Sequence, residues 1–250
     1  MPDSSSPAPS WVAGADAFPD GWVVVLWRVD ADGAPLRRRV VPSVDALLSL
    51  DEAPAVLGLD MIVGLPDTAV PGGRTCDRQA RQLLGRARGA SVFSPPAYDA
   101  LSADSYEAAQ RRNRATGPDA PGLSKQTYHL FPRLRAVANA VTPARQHRIR
   151  EVHPELAFYA LNDNTPLADS KHTDAGRAAR RALLARAGMA DVEEALSSLV
   201  TGAVGADDVL DAHAACWTAR RIYTGTAERC PPRSEPAPRN ARGLRMEIWR

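Results

Sequence analysis

Residues 11–29, WVAGADAFPDGWVVVLWRV, hold the reading from which the fold follows. Trp11 to Ala15 is short and apolar and ends at Asp16. Phe18-Pro-Asp-Gly-Trp22 then supplies the Pro, Asp and Gly of a hairpin turn, and Trp22 to Val29 reads as a buried strand. Working outward, Leu36 to Val41 is a third strand, and Ser43 is placed to cap a short helix over Val44 to Leu50. Ala55 to Leu59 is a fourth strand, ending at Asp60. Three strands in a meander, a helix and a strand parallel to the first begin an α/β sheet. Ligand crevices in such sheets lie beyond the carboxyl ends of the strands. Parallel neighbours that both end in aspartate therefore bring Asp16 and Asp60 side by side.

From Arg74 to about Val141 the pattern is helical but broken by Pro95-Pro96, Gly117-Pro118 and Pro121-Gly122, which reads as a helical insertion over about 68–147. Arg148 to Val152 is a short strand leading into Glu151-Val-His-Pro-Glu155. Gly176 to Ala187 and Asp207 to Tyr223 are helical. One domain over 11–230 is expected, followed by a Pro- and Arg-rich tail over 231–250 in which Gly243 to Trp249 can add a terminal strand.

The chain of 250 residues carries 31 Lys plus Arg against 29 Asp plus Glu, a net +2, which excludes a strongly basic nucleic-acid coat and an acidic disordered tail alike. With 44% apolar residues it can bury a sizeable core. Its longest strongly apolar run, Trp22 to Trp27, falls far short of the roughly 20 residues that cross a bilayer. Met1 to Ser10, rich in Ser and Pro, reads as a flexible leader without the regions of a signal peptide, so a cytoplasmic location is expected. Cys76, Cys216 and Cys230 are far apart with no Cys-x-x-Cys spacing, which points to reduced thiols. Charge is uneven along the chain: residues 1–73 hold 4 basic and 10 acidic side chains, 74–150 hold 14 and 5, and 151–250 hold 13 and 14. The basic middle third can attract phosphate or simply be solvated on helix faces.

The acids with chemical content are Asp16, Asp60, Glu151 or Glu155, and Asp207-Asp208-x-x-Asp211. Positions 208 and 211 share a helix face, whereas 207 lies to one side. Carboxylates converging on one point repel each other until a divalent cation relieves them, and hard oxygen ligands suit Mg²⁺ or Mn²⁺. Arg74, Arg78 and Arg81 lie near one helix face after the Asp60 strand, and Lys125 sits in a polar turn; these four are candidate phosphate clamps. His153, between two glutamates, is a candidate base, metal ligand, substrate contact or buried hydrogen-bonding residue. His213 reads as a packed or exposed helix residue, and His129, His147 and His172 as surface. The five tryptophans read as core, and Cys76 lacks a nearby histidine that would make it a nucleophile. Gly-x-Ser-x-Gly, P-loop and His-Glu-x-x-His motifs are absent.

Gly14-Ala-Asp16 with Gly21-Trp22-Val23, Asp60-Met-Ile-Val-Gly64-Leu-Pro66, Arg74-x-Cys76-Asp77-x-x-Ala80-Arg81, Ser91-Val-Phe93 with Pro95-Pro96, Ser124-Lys125-Gln126, Glu151-Val-His153-Pro-Glu155 and Asp207-Asp208-Val-Leu-Asp211-Ala212 occur in that order. The series resembles the DUF429 family of predicted nucleases and covers roughly residues 13–223. The resemblance implies an RNase H-like α/β core: a mixed sheet of three antiparallel strands followed by strands parallel to the first, flanked by helices. It matches Asp16 to the first-strand acid, Asp60 to the fourth-strand acid, and Asp208 with Asp211 to the acids of the last helix, similar to Holliday-junction resolvases. Glu151 has no standard counterpart. The chemistry implied is hydrolysis of nucleic-acid phosphodiesters with two Mg²⁺ or Mn²⁺ ions about 3.5–4 Å apart, Asp16 bridging both. Two other expectations stand beside it: a non-catalytic nucleic-acid or protein-binding module, and a phosphohydrolase of small phosphoesters.

Overall fold

The computed structural model describes residues 10–31, 33 and 35–250. The leader expected at 1–10 lies, but for Ser10, outside the described residues. Strand β1 (Trp11–Phe18) pairs antiparallel with β2 (Gly21–Arg28) across Pro19-Asp20, and β2 pairs antiparallel with β3 (Arg37–Val41). Helix α1 (Val44–Leu48) follows, with Ser43 Oγ accepting the Ala46 N–H at 3.1 Å as its cap. Strand β4 (Val56–Leu59) then returns parallel to β1, and β5 (Ile149–Glu151) is parallel to β4. The sheet order is β3-β2-β1-β4-β5, a mixed five-stranded arrangement consistent with an RNase H-like fold.

Two local expectations shift. β1 does not stop at Asp16 but runs to Phe18, because β2 continues to pair with it as far as Phe18↔Gly21; only the parallel β1–β4 ladder ends at Ala15↔Leu59. Gly21 is not in the turn but opens β2, where a Cβ would meet the Val41 carbonyl at 2.4 Å.

Both faces of the sheet are buried, which is why β2 reads as a continuous apolar run rather than an alternation. Val12, Val23 and Val25 pack beneath α6 (Pro154–Leu161), α7 (Asp174–Arg186), α8 (Val192–Leu199) and α9 (Ala206–Tyr223). Trp11, Ala13, Val24 and Leu26 pack against α1 and against Val137 and Ala140. Those last two belong to α5 (Phe131–Ala140), which closes the insertion. The inserted helices are α2 (Thr75–Arg88), kinked at Gly85 with φ 56°, α3 (Tyr106–Ala115), α4 (Lys125–His129) and α5. They carry a small core of their own around Leu101, Phe131 and Leu134, yet α5 also covers the second face of the sheet.

The tail is built into the fold. β7 (Ile248–Trp249) pairs with β6 (Arg229–Cys230), and Trp249 bridges to Val152 beyond the end of β5. Gln146 exchanges two hydrogen bonds with the backbone of Arg245, at 2.7 and 2.8 Å. Among the described residues, no helix is long and apolar enough to cross a membrane.

Helix α9 crosses the sheet over a pair of glycines. Gly14 and Gly58 are register partners in β1 and β4. A Cβ on Gly14 would lie 2.0 Å from the Cys216 backbone nitrogen, and one on Gly58 would lie 2.6 Å from the Ala215 carbonyl. Backbone cannot yield there as a flexible side chain would. Gly14→Ala is expected to lower stability by about 3 kcal/mol or more in urea unfolding, whereas Gly202→Ala, with open space around it, should stay within about 0.5 kcal/mol of the parent.

Candidate metal centre

At the carboxyl end of the β1–β4 ladder, the Asp60 amide donates to the Ala15 carbonyl at 2.9 Å, which holds Asp60 beside Asp16. Asp211 arrives from α9, immediately before the stretch, residues 212–216, that rests on Gly14 and Gly58. The Asp16, Asp60 and Asp211 carboxylates each offer an oxygen such that all three lie within 4.8 Å of one another. Asp16 and Asp211 are buried and Asp60 is half-buried.

The cluster is electrostatically strained. Burial, then the charges of Asp60, Asp211 and Asp208, hold the Asp16 carboxyl well above its usual range. Burial raises Asp60 to about 6, with Asp211 pushing the same way and His153 and Lys171 opposing. Asp211 is raised by burial against the pull of Lys171, whose Nζ donates to Asp211 Oδ2 at 2.6 Å. Burial disfavours the Lys171 ammonium, but Asp211 beside it outweighs that, so the lysine stays charged. One ammonium against three carboxylates leaves negative charge uncompensated, and a set of hard oxygens so placed can hold a divalent cation.

The cluster opens on a cleft of about 610 Å³ that His153, Gln126 and Arg133 also line. Asp208 lines it too but does not join the trio. Its Oδ2 accepts the N–H of Gly205, the N-cap of α9, at 2.8 Å, which ties the side chain to the start of the helix. Asp207 pairs with His172 Nδ1 at 2.9 Å.

The other expected site residues divide by what their donors and acceptors already hold. Glu151 is buried, accepts the Val63 N–H at 2.9 Å and is gripped by both terminal nitrogens of Arg74, so its carboxylate faces a guanidinium rather than the cluster. Arg74 is no surface clamp: it is buried and also binds Asp77 and the Gly64 carbonyl. Arg78 donates to the Gly73 carbonyl and to Thr75 Oγ1. Arg81 donates to the Gly72 and Val92 carbonyls and to Ser94 Oγ. Lys125 stands exposed at the first turn of α4 outside the cleft lining, which that segment reaches through Gln126. His153 reaches the cleft; its Nε2 lies 3.2 Å from the Ser91 carbonyl, so that nitrogen carries the proton and the buried Nδ1 is left without a partner. Glu155 is held by the fully buried Arg180 at 2.6 Å. His213 is packed, with Nδ1 donating to the Val209 carbonyl, and burial lowers it to about 4.

Lys171 is the residue that sequence reasoning passed over. Its signal was composition: it is one of only two lysines in a chain whose other basic residues are all arginine. Nothing local marked the loop after α6 as a neighbour of α9.

A mixed α/β sheet whose strand ends and last helix converge three carboxylates, with a lysine beside them, defines a protein equipped to hold a divalent cation at the sheet's carboxyl edge. The chain belongs to the DUF429 family, described as protein of unknown function, whose model matches residues 14–236. No curated protein and no solved structure matches it significantly.

Two outcomes follow from these environments. Arg74→Met strands Asp77 and Glu151 as buried charges and should cost about 3–5 kcal/mol in denaturant unfolding, a loss of fold rather than of ligand binding alone. Asp60→Asn should stabilise the metal-free protein at pH 8 by on the order of 2 kcal/mol. That gain should vanish near pH 4, because the folded protein holds a proton up to about pH 6 that the unfolded chain releases near the ordinary 3.8. Ionising Asp60 therefore costs stability as pH rises. Equal stability of parent and variant at both pH values would refute the strain.

Proposed function

We propose that this protein is a divalent-metal-dependent hydrolase of nucleic-acid phosphodiesters. The observation that carries the reading is the carboxylate trio at the sheet's carboxyl edge, open to a cleft of about 610 Å³. Asp16, Asp60 and Asp211 would hold Mg²⁺ or Mn²⁺, the cations that suit an all-oxygen donor set. A cation bound there supplies a water of lowered pKa and stabilises charge on the phosphoryl oxygens.

The chain's own groups do the rest. Lys171, with about a third of its side chain exposed, presents a permanent cation at the cleft wall for a phosphate oxygen. His153 lines the same cleft, and its Nδ1, the ring nitrogen not facing the Ser91 carbonyl, is the one left for proton transfer. Asp208, tied to the start of α9, adds negative field near the trio without being a ligand, and Arg133, whose Nη2 is anchored on the Phe18 carbonyl at 2.6 Å, balances it.

The test is cleavage of labelled single-stranded DNA and RNA with Mn²⁺ or Mg²⁺, beside thermal unfolding with and without the metal. The parent should cleave and should gain thermal stability at millimolar metal, since a ligand of the native state alone stabilises it. Asp16→Asn and Asp211→Asn should lose two orders of magnitude or more in rate and lose the thermal gain. Undiminished cleavage by Asp16→Asn would overturn the reading. Release of inorganic phosphate from small phosphoesters, with oligonucleotides left intact, would replace it with a small-molecule phosphohydrolase.

A further inference from the structure

We propose that Phe93 is a stacking platform for an unpaired base of the substrate, and that Arg81 is the residue that positions it. The inference rests on the phosphodiesterase reading and names the part of the substrate that reading leaves open.

Phe93 is 37% exposed, one of the few large apolar side chains so placed, and it lines the same cleft as the carboxylate trio. Among the described residues it joins none of the packed apolar clusters. The residues on either side of it, by contrast, are held. The Ser91 carbonyl faces His153 Nε2 at 3.2 Å, and Val92 is buried. Arg81 clasps the loop across the phenylalanine: Nε and Nη2 donate to the Val92 carbonyl at 3.0 and 2.8 Å, and Nη2 also donates to Ser94 Oγ at 3.0 Å. Pro95 and Pro96 fix the next two φ angles, and the Ala97 N–H is bound by Asn113 Oδ1 at 2.8 Å.

A loop fixed this thoroughly does not leave its one aromatic ring in the cleft through looseness. A rigidly presented ring offers a π-face at little entropic cost, and every nucleobase has a face to lay on it. Ring and carboxylates line one cavity, so a nucleotide strand held with its phosphate at the acids has the ring in the same cavity for one of its bases. This also accounts for Arg81, whose Nε and Nη2 hold the residues on either side of Phe93 while Nη1 holds the Gly72 carbonyl, so that its donors are already spent within the protein.

Binding of a fluorescein-labelled single-stranded oligonucleotide in Ca²⁺, read by anisotropy, tests it. Phe93→Ala should weaken binding about tenfold with unchanged thermal stability, while Phe93→Trp should retain affinity and show emission quenched on binding, above the wild-type background. Arg81→Met should lose a similar factor, and adding Phe93→Ala to it should cost nothing further. On an oligonucleotide of abasic sites, wild type and Phe93→Ala should bind alike. Wild-type affinity in Phe93→Ala, or an equal loss on the abasic strand, would overturn the stacking role while leaving the phosphodiesterase reading in place. A parent protein that neither binds nor cleaves any oligonucleotide would end both.

Discussion

The contact between α9 and the paired glycines Gly14 and Gly58 sets the depth at which the acidic centre forms. A helix normally stands off a sheet by the thickness of the side chains between them. Here two register partners have no side chain, and the backbone of residues 212–216 lies almost on the strands. Asp211, the residue immediately before them on the same helix, is thereby lowered to the strand ends where Asp16 and Asp60 already stand. Carboxylates have short reach, so three of them meet within 4.8 Å only because the backbones that carry them approach this closely. The same closeness shuts out water and raises every pKa in the group, so the geometry that assembles the site also creates its demand for positive charge.

Arginine answers a different demand. The segment from 74 to 150 holds 14 basic residues against 5 acidic ones. Much of that surplus is turned inward, onto backbone carbonyls: Arg74 on Gly64, Arg81 on Val92, Arg88 on Leu167 and Ala168, Arg135 on Leu101 and Ala103, Arg145 on Ala140. For Arg81 and Arg135 the reason lies in the break between α2 and α3. Pro and Gly interrupt the ladders there and leave carbonyls without amide partners, and a guanidinium with five donors satisfies two or three at once. Counted in sequence, these charges resemble a phosphate-binding face. Traced in space, many of them hold loops.

The strand and helix pattern was readable because it depends on local periodicity and turn chemistry. Apolar runs bounded by Pro19-Asp20, the Ser43 cap and the aspartate after β4 placed the first four strands and α1 within a few residues. The pairing of Asp16 with Asp60 followed from parallel neighbours alone. Asp208 and Asp211 looked equivalent in sequence, since both share a helix face, but one lies in the first turn, where it bonds the Gly205 amide, and the other lies a turn deeper. Glu151 sits at a strand end as Asp60 does; the arrival of Arg74 from the start of α2, with the Val63 amide, separates their surroundings.

By itself, then, the sequence determined the order of elements, the meander followed by parallel strands, and two of the three acids that meet. The tertiary structure decided which further carboxylate joins them, that Lys171 stands among them, that Arg74 and Arg81 are consumed inside the protein, and that Phe93 is left facing the cleft. The division is physical. Periodicity, caps and turns act over a few residues, whereas the neighbours of a charged side chain are chosen by how closely distant backbones can pack.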